Sequence, residues 1–168
     1  MYDEEQIVSD LEALYKAKLN DEIDCINTQK NDIPGNPRYI EHIPDSKYIH
    51  EALAPNDKKL LNYKGFFLRF GLVASDPRNQ QINNQIEDPV VNFEIATFDN
   101  GQSDLSNKFY QLIRYRRALL NVINNNNDVF RGFAKPFVTG LSPESFPYGK
   151  SKMVLAIGVS IRASITTN

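Results

Sequence analysis

The stretch KMVLAIGVSIRASI, residues 152–165, alternates without a miss. Met153, Leu155, Ile157, Val159, Ile161, Ala163 and Ile165 fall on one side, and Val154, Ala156, Gly158, Ser160, Arg162 and Ser164 on the other. Successive side chains of an extended chain point to opposite faces, so a period of two specifies one strand with a buried face. At about 3.3 Å per residue the run from Met153 to Ile165 would reach about 43 Å, well past an ordinary strand. A strand of that length is expected to overhang its own domain and contact a neighbour.

Two further segments read as strands. GFFLRFGLVAS, Gly65 to Ser75, alternates aromatic and branched residues, and VVNFEIATF, Val90 to Phe98, ends in the turn signal Asp99-Asn100-Gly101. Between them DPRNQQINNQIEDP is polar and bounded by prolines, which predicts an exposed loop. A shorter strand is expected around Pro136 to Thr139, followed by a loop over GLSPESFPYGKS.

Helical spacing appears twice. From Asp3 to about Ile26, Ile7, Leu11, Leu14, Tyr15, Leu19, Ile23 and Ile26 make one stripe, with carboxylates in the first turn where they complement unpaired amides. The second helix follows Ser103 or Asp104, either of which can cap it, and the asparagines from Asn124 to Asn127 end it. Its apolar face is expected to carry Leu105, Phe109, Leu112, Ile113, Leu119, Leu120 and Ile123. Between Asn27 and Tyr63 lies a long irregular section containing Pro34, Pro37, Pro44 and Pro55, of the kind that serves as a functional loop or is ordered by a partner.

The order helix, long loop, strand, strand, helix, strand, strand predicts one α+β domain over residues 1–168: an antiparallel sheet of about four strands with two helices packed on one face, long loops and an over-long C-terminal strand. A length of 168 residues suits one core rather than two.

The second helix packs three arginines into RYRR. At 100° per residue Arg114 points away from Leu105 and Ile123, Arg117 lies on a flank, and Arg116 falls near the centre of the apolar stripe. Arg114 and Arg117, with Tyr110 in register, form a contact surface or a solvated face. Arg116 needs an edge, a carboxylate or carbonyls, because an unpaired buried guanidinium costs several kcal/mol. Glu94 is one possible partner.

The residues for common chemistries are not assembled in the sequence. His42 and His50 are the only histidines and Cys25 the only cysteine, which is too few and too dispersed for a zinc site. A G-x-S-x-G elbow and phosphate-cradling glycine loops are missing. Asp88 and Glu94 come closest to a metal-dependent nuclease, but the lysine that would follow the glutamate by two positions is Ala96. The expectation is a protein that is not an enzyme and has no cofactor and no metal site. A net charge of -2 argues against a generally basic nucleic-acid binder. The acidic start MYDEEQIVSD and the lack of about 18 consecutive apolar residues predict a soluble, cytosolically made chain with no membrane partner.

The YQLIRYRRALLNVI helix, the brief strand after it and the final strand MVLAIGVSIRASI resemble the tail terminator proteins of long-tailed bacteriophages. The opening amphipathic helix, the irregular section and GFFLRFGLVAS fit the same order. The resemblance implies a structural virion protein: a hexameric ring that caps the tail tube, ends its polymerisation and joins the tail to the neck. The implied partners are further copies of the chain, the tail tube protein, a head completion or neck protein, and genomic DNA passing through the lumen without sequence-specific binding. The implied location is the virion tail or neck, after assembly in the host cytoplasm. On that reading the candidate interface residues are Tyr39, Tyr48, Arg69, Tyr110, Arg114, Arg116, Arg117 and Arg162, since arginine and tyrosine most often anchor interfaces. Another neck, head-completion or baseplate component is the alternative, and a small metal-dependent nuclease a further one.

Overall fold

The computed structural model describes residues 4–50, 65–77, 87–99, 104–126, 134–140, 144–148 and 152–164. In chain order they form α1 (Glu4–Gln29), a 3-10 turn at Asp45–Lys47, β1 (Tyr48–His50), β2 (Phe66–Pro77), β3 (Glu87–Asp99), α2 (Leu105–Asn125), β4 (Ala134–Gly140), β5 (Glu144–Tyr148) and β6 (Lys152–Ser164). The class is α+β.

Four strands in the order β2-β3-β6-β4 pair antiparallel throughout. Two short strands add to them: β1 lies parallel to β2, and β5 pairs antiparallel with β6. The sheet is therefore mixed rather than purely antiparallel. β1 sits inside the section that reads as irregular, because three residues are too few to carry a period. The two expected loops also shrink. β2 continues to Pro77 and β3 begins at Glu87, still paired to each other, while β5 occupies Glu144–Tyr148 within GLSPESFPYGKS. Residues 78–86, 141–143 and 149–151 of these loops, and residues 51–64 after β1, lie outside the described residues.

The long strand β6 does not overhang the subunit. β3 pairs with it from Met153 to Arg162, β5 with its first half from Lys152 to Ala156, and β4 with its second half from Val159 to Ser164. Its length is matched by β3 on one side and by two strands laid end to end on the other. Both faces of its middle are also buried. Ile157, Val159 and Ile161 join the main core, while Val154 and Ala156 join Ile49, Phe67 and Ala96 in a second cluster on the opposite face. Alternation alone reports one face, since small residues such as Ala156 and Gly158 carry no strong signal of burial.

The main core unites α1, α2 and one sheet face. Ile7, Leu11, Tyr15, Leu19 and Ile23 of α1 are fully buried, with Leu112, Tyr115, Leu119 and Val122 of α2 and Leu68, Phe70, Phe93 and Ile95 of the sheet. Tyr15 packs on Phe93 with ring centroids 4.2 Å apart, and Tyr115 packs on Phe66 at 4.8 Å. The Tyr15 hydroxyl donates to the Leu119 carbonyl at 2.9 Å, which ties the helices together. Burial in apolar surroundings pushes both tyrosine hydroxyls well above their ordinary pKa, so they remain neutral donors.

The irregular section is docked by two asparagines two turns apart on α1. Asn20 accepts from the Ile43 amide at 2.9 Å and donates to its carbonyl at 3.3 Å. Asn27 does the same for Ile40, at 3.2 Å and 2.8 Å. Each side-chain amide thus satisfies both backbone groups of a buried isoleucine, as a neighbouring strand would. The Asn27→Ala variant leaves that donor and acceptor unpaired in a buried site and is expected to lose about 1–2 kcal/mol of unfolding free energy, measured by urea titration.

Candidate functional site

α2 is the element on which the sequence-predicted residues converge. It starts where Asp104 accepts a hydrogen bond from the Asn107 amide at 3.2 Å, and ends with Asn126 as its C-cap. Its buried residues are Leu112, Tyr115, Ala118, Leu119, Val122 and Ile123. Leu105, Phe109 and Ile113, expected in the core, are instead 52%, 44% and 39% exposed. The apolar face of α2 is wider than the face the fold covers, and the excess lies along one open flank.

A second flank holds the irregular section. Arg114 forms an ion pair with Asp32 and donates to the Arg38 carbonyl at 2.5 Å. The Arg38 guanidinium lies over the Tyr110 ring at 3.9 Å and donates to Asn107 Oδ1 at 3.3 Å. Gln111 donates to the Tyr39 carbonyl at 2.7 Å, and Tyr115 to the Glu41 carbonyl at 2.8 Å. Arg114 therefore does not share an open surface with Arg117. Its charge is spent inside the chain, on a carboxylate just beyond α1.

The Asn36 amide and then the Arg114 guanidinium hold the Asp32 carboxyl below the usual carboxylate range. A depressed folded pKa stabilises the fold above the unfolded value of about 3.9, and this contribution is lost as pH falls through the folded value. The Asp32→Asn variant is expected to show a smaller drop in urea midpoint between pH 7 and pH 3 than the wild type.

The remaining arginines separate. Arg116 is half-buried at the edge of the core face, with its Nε enclosed and lacking a hydrogen-bond partner. Glu94 is not its partner. Glu94 lies opposite Arg69 in the β2–β3 register, on the sheet face away from Phe93, and forms an ion pair with it. Arg117 is exposed on α2, and Arg162 is exposed on β6 opposite Val90. Tyr48 is half-buried, and its hydroxyl donates to the Tyr15 carbonyl at 3.2 Å. Tyr39 lines a hollow with Gln111 and Phe66. Of the eight candidates, Tyr39, Tyr110 and Arg114 are brought into one contact cluster, where the irregular section meets α2 of the same chain.

For metal chemistry, Glu94 is engaged by Arg69, and the Asp88 side chain lies outside the described residues. Among the described residues no three His, Cys, Asp or Glu side chains are grouped to hold an ion. His42 and Asp24 pair at 2.7 Å on the surface, while His50 sits on β1 with its ring edge against Phe70 at 5.2 Å. Among the described residues no helix is long and apolar enough to cross a membrane.

Sequence reasoning missed a groove beside α1. It is lined by Glu5, Val8, Ser9 and Glu12 of α1, His50 of β1 and Leu72 of β2, and has a volume of about 430 Å³. Leu72 is 42% exposed there. Its sequence signal is the pair of carboxylates Glu5 and Glu12, about two turns apart near the start of α1. No protein-family model matches the chain, and no curated protein matches it.

Proposed function

We propose that this chain is a structural virion protein that closes into a six-membered ring on the end of a phage tail tube, stops the tube's growth and joins tail to neck. The observation that carries the reading is the order of elements: an amphipathic opening helix, an irregular section that includes β1, the antiparallel pair β2 and β3, the RYRR helix, the short strands β4 and β5 and a long final strand. The sequence resemblance implies the same order without β1 and β5. The open flank of α2 supports it, because a contiguous apolar stripe on a small domain marks a contact surface.

In this role the protein works by shape rather than by catalysis. Its partners are copies of itself, the tail tube protein and a head completion or neck protein. Genomic DNA passes through the opening without sequence-specific contact, and the protein resides in the virion after assembly in the host cytoplasm. A neck, head-completion or baseplate component built on the same plan differs only in the partner it touches.

Mixing the purified protein separately with tail tubes and with head connectors, followed by co-sedimentation, distinguishes these roles. Recovery with tubes and arrest of tube polymerisation are the expected results. Recovery with connectors alone would favour a neck component. Metal-dependent cleavage of DNA by the same preparation would replace both readings with a nuclease.

A further inference from the structure

The geometry points to a head-to-tail contact between two copies of this chain, in which the open flank of α2 on one copy seats in the groove beside α1 on the next. The inference deepens the ring reading and rests on it for closed stoichiometry.

The two surfaces match in chemistry. The flank offers the exposed side chains of Leu105, Phe109 and Ile113, with Arg116 and Arg117 beside them. Neither arginine has an ion-pair partner among the described residues, and the enclosed Arg116 Nε has no acceptor. The groove offers an apolar floor of Val8 and Leu72 beneath Glu5 and Glu12. Glu12 pairs with Lys16 at 2.6 Å, whereas Glu5 has no ion pair among the described residues. A volume of about 430 Å³ lies within the roughly 300–1,000 Å³ range of hollows that enclose a compact apolar group. Apolar seating excludes water, which strengthens the charge pairing at its rim.

Their placement requires two copies. α2 packs over β3, β6 and β4, whereas the groove lies at the β1 and β2 end of the sheet. One copy cannot bring its own flank to its own groove. Because the surfaces differ, the contact is heterologous and repeats from copy to copy, closing into a ring where the rotation permits.

Charge reversal tests the pairing. One variant carries Arg116→Glu and Arg117→Glu, and the other Glu5→Arg and Glu12→Arg. Each alone faces like charge against like charge, and sedimentation velocity is expected to show self-association weakened by about tenfold or more. An equimolar mixture restores opposite charges at every contact, so assembly returns with the variants alternating. Restoration also shows that both variants are folded. A chain with Phe109→Ser alone is expected to weaken assembly with its circular dichroism unchanged.

A wild type that stays monomeric at every concentration would overturn the contact. Variants that assemble like the wild type would overturn the assignment of surfaces while leaving a ring intact. Loss without restoration, with unchanged circular dichroism, would show that flank and groove do not meet. Restored assembly into open filaments would uphold the contact and overturn the ring.

Discussion

Phe93→Ala lowers the unfolding free energy by about 3–5 kcal/mol, the range for emptying a buried aromatic site. Phe93 is fully buried on β3, between Phe70 of β2 and Val159 of β6 in the register. Its ring meets Tyr15 at 4.2 Å and stacks on Phe70 at 5.7 Å, so it joins α1 to the sheet. Truncation leaves a cavity enclosed by residues held from several elements, which limits collapse. Against the roughly 5–15 kcal/mol of an ordinary domain, the loss is a large fraction of stability. In urea the midpoint falls while the slope stays the same. Phe109→Ala, at a ring 44% exposed, is expected to change stability within about 0.5 kcal/mol. A similar loss at both positions would contradict the division of α2 into a core face and an open flank.

Gly158→Val is the second large effect, expected at about 2–3 kcal/mol. A glycine inside a strand normally weakens it, so a side chain there would ordinarily be neutral or stabilising. Here the sign reverses. A Cβ at this position would lie 2.5 Å from the Phe93 carbonyl oxygen and 2.7 Å from Glu94 Cγ. The first of these is backbone, which cannot swing aside, so β3 must move away from β6. The displacement also disturbs Glu94, which holds Arg69 across the β2–β3 pair. In thermal unfolding the midpoint is expected to drop by about 4–12 °C. A rise would mean that β3 and β6 are not in the register described.

Much of this fold is legible in the sequence, for identifiable reasons. Leu155, Ile157, Val159 and Ile161 alternate with smaller residues and mark β6. Ile7, Leu11, Leu19 and Ile23 mark α1, because helical spacing and burial coincide there. β1 is silent because three residues carry no period. β5 is hidden because Pro147 within ESFPY reads as a loop, although an edge strand tolerates a proline. The extra length of β6 signals a neighbour in the sequence, but that neighbour proves to be β4 and β5 of the same chain.

The functional surface is harder to read. Hydropathy says which residues of α2 can be buried, not which of them the rest of the chain reaches. Tyr115, Ala118 and Val122 are covered because the sheet, α1 and the irregular section meet around them, and Phe109 and Ile113 stay open. Arg114 looks like a surface cation until Asp32 is placed beside it. Arg116 is the reverse. Its position on the apolar stripe signals a charge that needs a partner, and among the described residues its enclosed Nε has none.

Electron microscopy of negatively stained protein, mixed with open-ended tail tubes, tests the central claim most directly. The account predicts six-fold rings seated on tube ends, with tubes that no longer lengthen when tube protein is added. Tubes that stay open and keep growing, with no rings on their ends, would contradict it.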